Sequence, residues 1–323
     1  MPNPKSAKQV IELRRHAELA PVEPGDVPVT VSVGPGGEAI ALWSDPRGRD
    51  ALQARTMQPG GASFPDPTTH AGVAVHVATY TPQVAAVVRV DDLRLAHCHV
   101  QPLPGGRVLL VAARCRWRRD GVDRNALVVA PDGTIARHGT LGDGVAHVLT
   151  TAAGKIWVGY FDEGIFGNYG WGNPGPAPIG ACGIVRYAAD LQAEWSYPTS
   201  GDLEPIDDCY ALNVADETAW ATYSSDFPIV RIAADTVRSW PGSRTAAHAL
   251  ITDGTRCALV GGYSQHRDRL LVGDLDRGHF KPYRLTLPGG RPLPANIQII
   301  GRGPALHLFA GTTWYRLDLD HIR

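Results

Sequence analysis

Residues 143–164, DGVAHVLTTAAGKIWVGYFDEG, read as two short strands folded back on each other. Residues 146–151 and 156–162 carry the apolar, β-branched and aromatic side chains that suit a buried pleated surface. Residues 152–155 are small or flexible and supply the turn.

Five further segments repeat this design. They are VTVSVGPGGEAIALWSD (29–45), HVQPLPGGRVLLVAAR (99–114), YALNVADETAWATYS (210–224), HALITDGTRCALVGGYS (248–264) and NIQIIGRGPALHLFAG (296–311). The turn positions Gly37, Gly106, Gly154, Glu217, Arg256 and Ala305 recur at steps of roughly 40 to 70 residues. A basic period of about 40 to 48 residues is that of a four-stranded propeller blade, and the two longer steps need insertions. A second hairpin follows the first in several units, as in NALVVAPDGTIARHGTL (125–141), CGIVRYAADLQAEWSYP (182–198) and FPIVRIAADTVRSWPG (227–242). Two hairpins make one four-stranded antiparallel blade. The sequence therefore predicts an all-β fold, a six-bladed β-propeller formed as a single domain over residues 1–323, with residues 1–7 as a flexible tail. The last unit reaches only its third strand, TTWYRLDLD (312–320), before the chain stops. KQVIELRRH (8–16) is left over at the other end, and is expected to supply the missing outer strand and close the ring. Closure hides sheet edges that would otherwise pair with other chains.

Composition agrees with this reading. Of 323 residues 44% are apolar and 20% charged, enough for a large core, while 36 Gly and 26 Pro supply many turns. The net charge is −1, so no global field favours nucleic acid or an acidic membrane. No apolar run reaches membrane-spanning length and the first residues lack a signal-like apolar core, which points to a cytoplasmic protein. Five cysteines, each near or within a predicted strand, read as reduced, packed thiols. The chain has no P-loop, dinucleotide fingerprint, nucleophile elbow or HExxH pattern, so no nucleotide cofactor is expected.

Insertions fall between the second and third strands of blade one (46–71), blade two (116–124) and blade three (163–181). In propellers these loops share a face with the start of each innermost strand, and long loops on one face of a rigid scaffold usually carry function. Counting back from each turn places Thr30, His99, His147, Tyr210, His248 and Asn296 or Gln298 at matching positions around the axis. His99, His147 and His248 are candidate ligands for a divalent metal such as zinc, manganese or iron, because three imidazoles can hold an ion and leave a position open. The plainer alternative is that they hydrogen-bond backbone or water in a polar channel. Asp162, Glu163 and Asp208 lie on the same face and would orient the histidines, with Tyr210 moving a proton. The plainer alternative for Asp208 and its neighbour Asp207 is that they cap turn amides. Phe166, Tyr169 and Trp171 sit in a glycine-rich loop that forms either a substrate lid or a packed rim. Arg114, Arg116, Arg118, Arg119 and Arg124 read as a solvated cluster balanced by Asp120 and Asp123.

The blade grammar resembles propellers of the NHL, gluconolactonase-like and strictosidine synthase-like group. The stretches FDEGIFG (161–167) and IDDCYALNV (206–214) are similar to those of an actinobacterial propeller family. The resemblance implies a six-bladed scaffold with its site at the axis. Lactonases of that group hold calcium with a Glu, Asn and Asp set, from which the histidine-rich axial positions here depart. Propeller lyases that use axial histidines, sometimes with a divalent metal, are closer in position. The expectation is a small-molecule lyase or hydrolase with His147, Tyr210, Asp208 and Glu163 as catalytic residues. Asp162, Phe166, Tyr169, Trp171 and Asn296 would contact substrate. The alternative is a non-catalytic scaffold that binds a protein or small ligand on the loop-rich face.

Overall fold

The second strand of blade three, Ile156–Tyr160, is buried at every position. A strand alternates its side chains between two faces, so complete burial means that both faces are covered. The second strands of blades one and two, Ala39–Ser44 and Arg107–Ala112, are likewise buried almost throughout. Outer strands such as Ile135–Gly139 and Ala193–Ser196 are mostly exposed. This gradient from axis to rim is what a ring of radial sheets requires. The computed structural model describes residues 9–199, 203–224, 226–243, 245–262 and 266–322; the expected N-terminal tail, residues 1–7, lies outside them.

Six sheets form the ring; blades one to four run outward in chain order from an innermost strand, and blades five and six do so until an N-terminal strand is added at the outer edge. The innermost strands are Val27–Val33, Cys98–Leu103, Val145–Thr150, Asp208–Ala215, Ala249–Thr252 and Gln298–Arg302. Apolar side chains fill the wedge between neighbouring blades. Trp157, Tyr160, Tyr187 and Tyr223 pack between blades two and four, and Trp43, Tyr80, Phe309 and Trp314 between blades six and one. Burying one large apolar side chain is worth about 1.5–3 kcal/mol, so these layers dominate the stability. All five cysteines are unpaired thiols, and four are buried. Among the described residues, no helix is long and apolar enough to cross a membrane.

The ring closes through the N-terminal segment, but with a division of labour that its sequence does not show. Arg14–Glu18 is the outer strand of blade six, antiparallel to Thr313–Asp318. Gln9–Glu12 instead pairs in parallel with Phe280–Thr286 and adds a fifth strand to blade five. Leu13, between them, is 1% exposed and donates its amide to Thr286 O at 2.8 Å. The open edge of blade five is thereby paired by the same segment that completes blade six, so one stretch stitches two blades together. The chain then reaches blade one, where Tyr80 donates to Ala20 O (2.7 Å) and Asp26 meets His76 (2.9 Å).

The insertions are ordered. That of blade one forms the helix Pro46–Leu52 and the hairpin Arg55–Met57 with Ser63–Pro65. Asp45 caps the helix by accepting from Gly48 N at 2.7 Å, and Pro46 opens it without losing a needed donor. Blade two contributes the hairpin Trp117–Arg118 with Gly121–Val122, and blade three the short helix Asp162–Phe166.

Candidate functional site

The six innermost strands enclose a cavity of about 700 Å³. Thr30 and Ser32 line it from blade one, His99 from blade two, His147 from blade three, Leu212 from blade four, His248 from blade five and Gln298 from blade six. Gln53 and Arg55, from the blade-one insertion, and His97, just before blade two, stand at its mouth. Val31, Val100, Leu149 and Ile300 give the wall an apolar body.

The far end is sealed by polar side chains that cross the axis. Arg302 of blade six, 6% exposed, donates from Nε to Gly34 O of blade one (3.0 Å) and from Nη2 to Thr150 O of blade three. Gln101 of blade two donates to Ser32 Oγ (2.5 Å) and accepts from Thr150 N (3.0 Å), bridging blades one and three. Asn213 of blade four donates to Leu250 O and Gly303 O, both at 2.8 Å, and accepts from Gly303 N at 2.7 Å. All six blades are joined in this layer. The cavity is therefore a cup with a floor and not a through-channel.

Each cup histidine is oriented by a carbonyl. His99 Nε2 lies 3.2 Å from Val145 O, His147 Nε2 3.1 Å from both Cys209 O and Tyr210 O, and His248 Nε2 3.1 Å from Gly262 O. A carbonyl only accepts, so Nε2 carries the proton in each ring and Nδ1 keeps its lone pair. Two rings also lie against glycines. A Cβ on Gly159 would sit 3.4 Å from His147 Cδ2, and one on Gly261 would sit 2.6 Å from His248 Cδ2. With Nε2 on a carbonyl and Cδ2 against the blade, the remaining edge, which holds Nδ1, faces the cup. His99 and His147 are half-buried at the cup wall, yet protein surrounds them closely. Burial lowers both pKa values, that of His147 to about 4 with help from neighbouring His99. Both rings are neutral at pH 7.

The rim beside the cup holds a second cluster. Arg114, 2% exposed, donates to Asp143 Oδ2 (2.8 Å) and Glu163 Oε2 (2.5 Å) and lies 4.2 Å under the Tyr169 ring. Asp143 also accepts from Cys115 N at 2.8 Å. Burial holds its carboxyl up at about 6, with Arg114 pulling the other way. Trp171 is buried and donates to Cys115 O (2.8 Å), while Tyr169 donates to Pro65 O (2.6 Å) and its own carbonyl accepts from Trp117 N (2.9 Å). The three insertions are thus packed into one wall.

The structure brings together His99, His147, His248, Thr30 and Gln298 around the cup, as the matching positions predict. It does not place Tyr210, Asn296, Asp162, Glu163, Asp208, Phe166, Tyr169 or Trp171 in the wall of the cup. A register shift between Cys209 and Ala211 turns Tyr210 aside, where it stacks on Phe227 with ring centroids 5.6 Å apart. Asn296 is exposed before its strand begins. Glu163 is held by Arg114, and Asp162 accepts from the Glu163 amide at 2.7 Å. Asp208 opens its strand half-buried, and burial followed by the nearby Asp162 carboxylate raises its pKa to about 6. Tyr169 and Trp171 pack down as a rim, while Phe166 stays 66% exposed. Arg114 is a correction to the solvated cluster, because it is buried between two carboxylates.

No three of His, Cys, Asp and Glu among the described residues come together in a way that could hold a metal ion. The three histidines stand on separate blades and form no such group, so the expected three-histidine metal site is not assembled among the described residues. Gln53, Arg55 and His97 at the mouth carry no sequence pattern. The floor does carry a signal: Gln101, Thr150, Asn213 and Arg302 are polar interruptions late in otherwise apolar inner strands.

Fold and site together define a six-bladed β-propeller with a blind, histidine-lined axial cup. The profile of the YxzG family matches residues 200–250. No curated protein matches the chain. Among solved structures, apo AztD from Citrobacter koseri is 10% identical over 92% of this chain and 84% of that one, with a TM-score of 0.43. Kluyveromyces lactis Hsv2 is 10% identical over 91% and 75%, with a TM-score of 0.46. The Neurospora crassa Pan2 WD40 domain is 11% identical over 95% and 96%, with a TM-score of 0.45. These likenesses carry no reading of the chemistry.

Proposed function

We propose that the protein binds a small polar molecule in the axial cup and acts on it as a lyase or hydrolase without a resident metal. The observation that carries this reading is the closed floor combined with imidazole rings whose Nδ1 edges face a cavity of about 700 Å³. Such a volume lies in the usual range for small-molecule sites, which pair an apolar wall with a few fixed polar groups. His147, neutral and locked by two carbonyls, suits the role of hydrogen-bond acceptor. His248, the most exposed of the three rings, is better placed to take a proton from a bound substrate as general base. Tyr210, Asp208 and Glu163 would act on this site only indirectly, through the rim.

The test is equilibrium dialysis of the purified protein against an aqueous extract of compounds below about 1 kDa, with retained compounds read by mass spectrometry; pockets of this class take ligands in that range. The Thr30→Trp variant, which fills the cup from blade one, is the control. A compound retained by wild type and lost in the variant supports the reading. Equal retention by both would sink it.

A further inference from the structure

Arg55 is the one charged side chain among the described residues that line the cup. It is held in place: Nε donates to Ser63 Oγ at 3.0 Å and Nη2 to Ser63 O at 2.6 Å, both across its own hairpin. No carboxylate among the described residues pairs with it, although the chain pairs many of its exposed arginines, Arg15, Arg89, Arg118 and Arg284 among them. Its neighbours at the mouth are also fixed. Gln53 donates to Val29 O (2.8 Å), and His97 Nε2 meets Ala54 O (2.7 Å). A guanidinium that is oriented but lacks an anionic partner, at the entrance of a cavity without carboxylates, is complementary to an anion. Deeper in the cup the polarity is reversed. The imidazole edges of His147 and His248 offer lone pairs, which call for O–H or N–H donors on the ligand.

We propose, on the reading that the cup is the ligand site, that its ligand is a small organic anion bound head-out. Its carboxylate or phosphate sits on Arg55 at the mouth, and its hydroxyl or amide groups donate to Nδ1 of His147 and His248. The blade-one insertion is thereby the specificity element, since it places Arg55. Anions without donor groups lack partners for the imidazoles, and neutral molecules leave Arg55 unpaired.

The experiment uses the full chain and a panel of small hydroxy- and acylamino-carboxylates, their phosphate-ester counterparts and the matched neutral methyl esters. Affinities are measured by calorimetry. An ion pair reinforced by hydrogen bonds is worth enough for a roughly tenfold preference for anion over matched ester. Arg55→Ala should bring the anion down to the affinity of its ester and leave the ester unchanged. The carboxylate and phosphate arms show which head group is taken. Esters that bind as well as anions, an anion preference that survives Arg55→Ala, or no binding anywhere in the panel would each overturn the proposal. The extract dialysis decides separately whether the cup binds anything, so failure here leaves that result standing on its own.

Discussion

Arg302 reaches across the propeller axis to the carbonyl of Thr150, joining blade six to the blade opposite it. The same guanidinium holds Gly34 O of blade one. No carboxylate forms an ion pair with Arg302 among the described residues, and burial lowers its pKa to about 10, with Glu38 the one charge that favours the cation. A cation so placed is retained for what its donors satisfy. Without it the Thr150 carbonyl would lose this donor at the centre of the ring, while Gly34 O would keep its bond from Gly37 N (3.1 Å).

Arg302→Met should therefore destabilise the protein without altering the blades themselves. Leaving a buried acceptor unpaired costs about 1–3 kcal/mol, and the Thr150 carbonyl is exposed to that loss. Urea unfolding followed by tryptophan fluorescence measures the change. A midpoint equal to wild type would mean that the floor holds without the cross-axis contact.

The cup histidines make stability depend on acidity. The folded pKa of His147, about 4, lies below its unfolded value of 6.5. The unfolded chain thus binds the extra proton first, and folding stability is lost as pH falls through 6.5 towards 4. The displacement is worth about 3 kcal/mol. Asp143 and Asp208, whose folded pKa values are raised, act in the opposite direction over an overlapping range. The comparison with His147→Gln isolates the imidazole, because glutamine retains a donor for the Cys209 and Tyr210 carbonyls. Unfolding curves between pH 7 and 4 should fall more steeply for wild type. Parallel curves would show that His147 titrates as in water.

Strand and turn grammar is local, and this is why six hairpins and their pairing into blades are readable from residues alone. Counting from the turn also carries His99, His147 and His248 to the axis, once one extra turn residue is allowed before His248. Tyr210 is missed because blade four has a tighter turn, Ala215 pairing with Thr218 where Thr150 pairs with Ile156 in blade three, so the same count lands on the residue inside the bulge and not on the one after it. Arg114 resembles its four neighbouring arginines in sequence, and its burial depends on Asp143 and Glu163, which are distant along the chain. The division of the N-terminal segment between two blades turns on which edges are left open once the ring has formed. Nothing local to residues 9–18 specifies it.

The Arg114 cluster should behave as a unit. The side chain of Asp143 is fully buried, so Arg114→Met leaves its charge without an ion-pair partner. Breaking a buried pair from one side typically costs about 3–5 kcal/mol. Asp143→Asn in the same chain removes the stranded charge and should recover part of the loss. Additive losses in the double variant, measured in a thermodynamic cycle, would show that the two side chains are not coupled.

Two glycines with nearly the same φ separate strain from contact. Gly254 has φ +94° with open space where a Cβ would lie, and Gly261 has φ +101° with His248 Cδ2 2.6 Å from that point. Alanine at either position meets the left-handed penalty, about 1–3 kcal/mol. At Gly261 it also has to push the imidazole away from the blade, which breaks the Nε2 contact to Gly262 O and moves Nδ1 in the cup. Gly261→Ala should therefore lose more stability than Gly254→Ala, and it alone should weaken retention of the cup ligand in dialysis. If the two variants lose equal stability and retain the ligand equally, the glycine at 261 serves the turn of the chain and not the seat of His248.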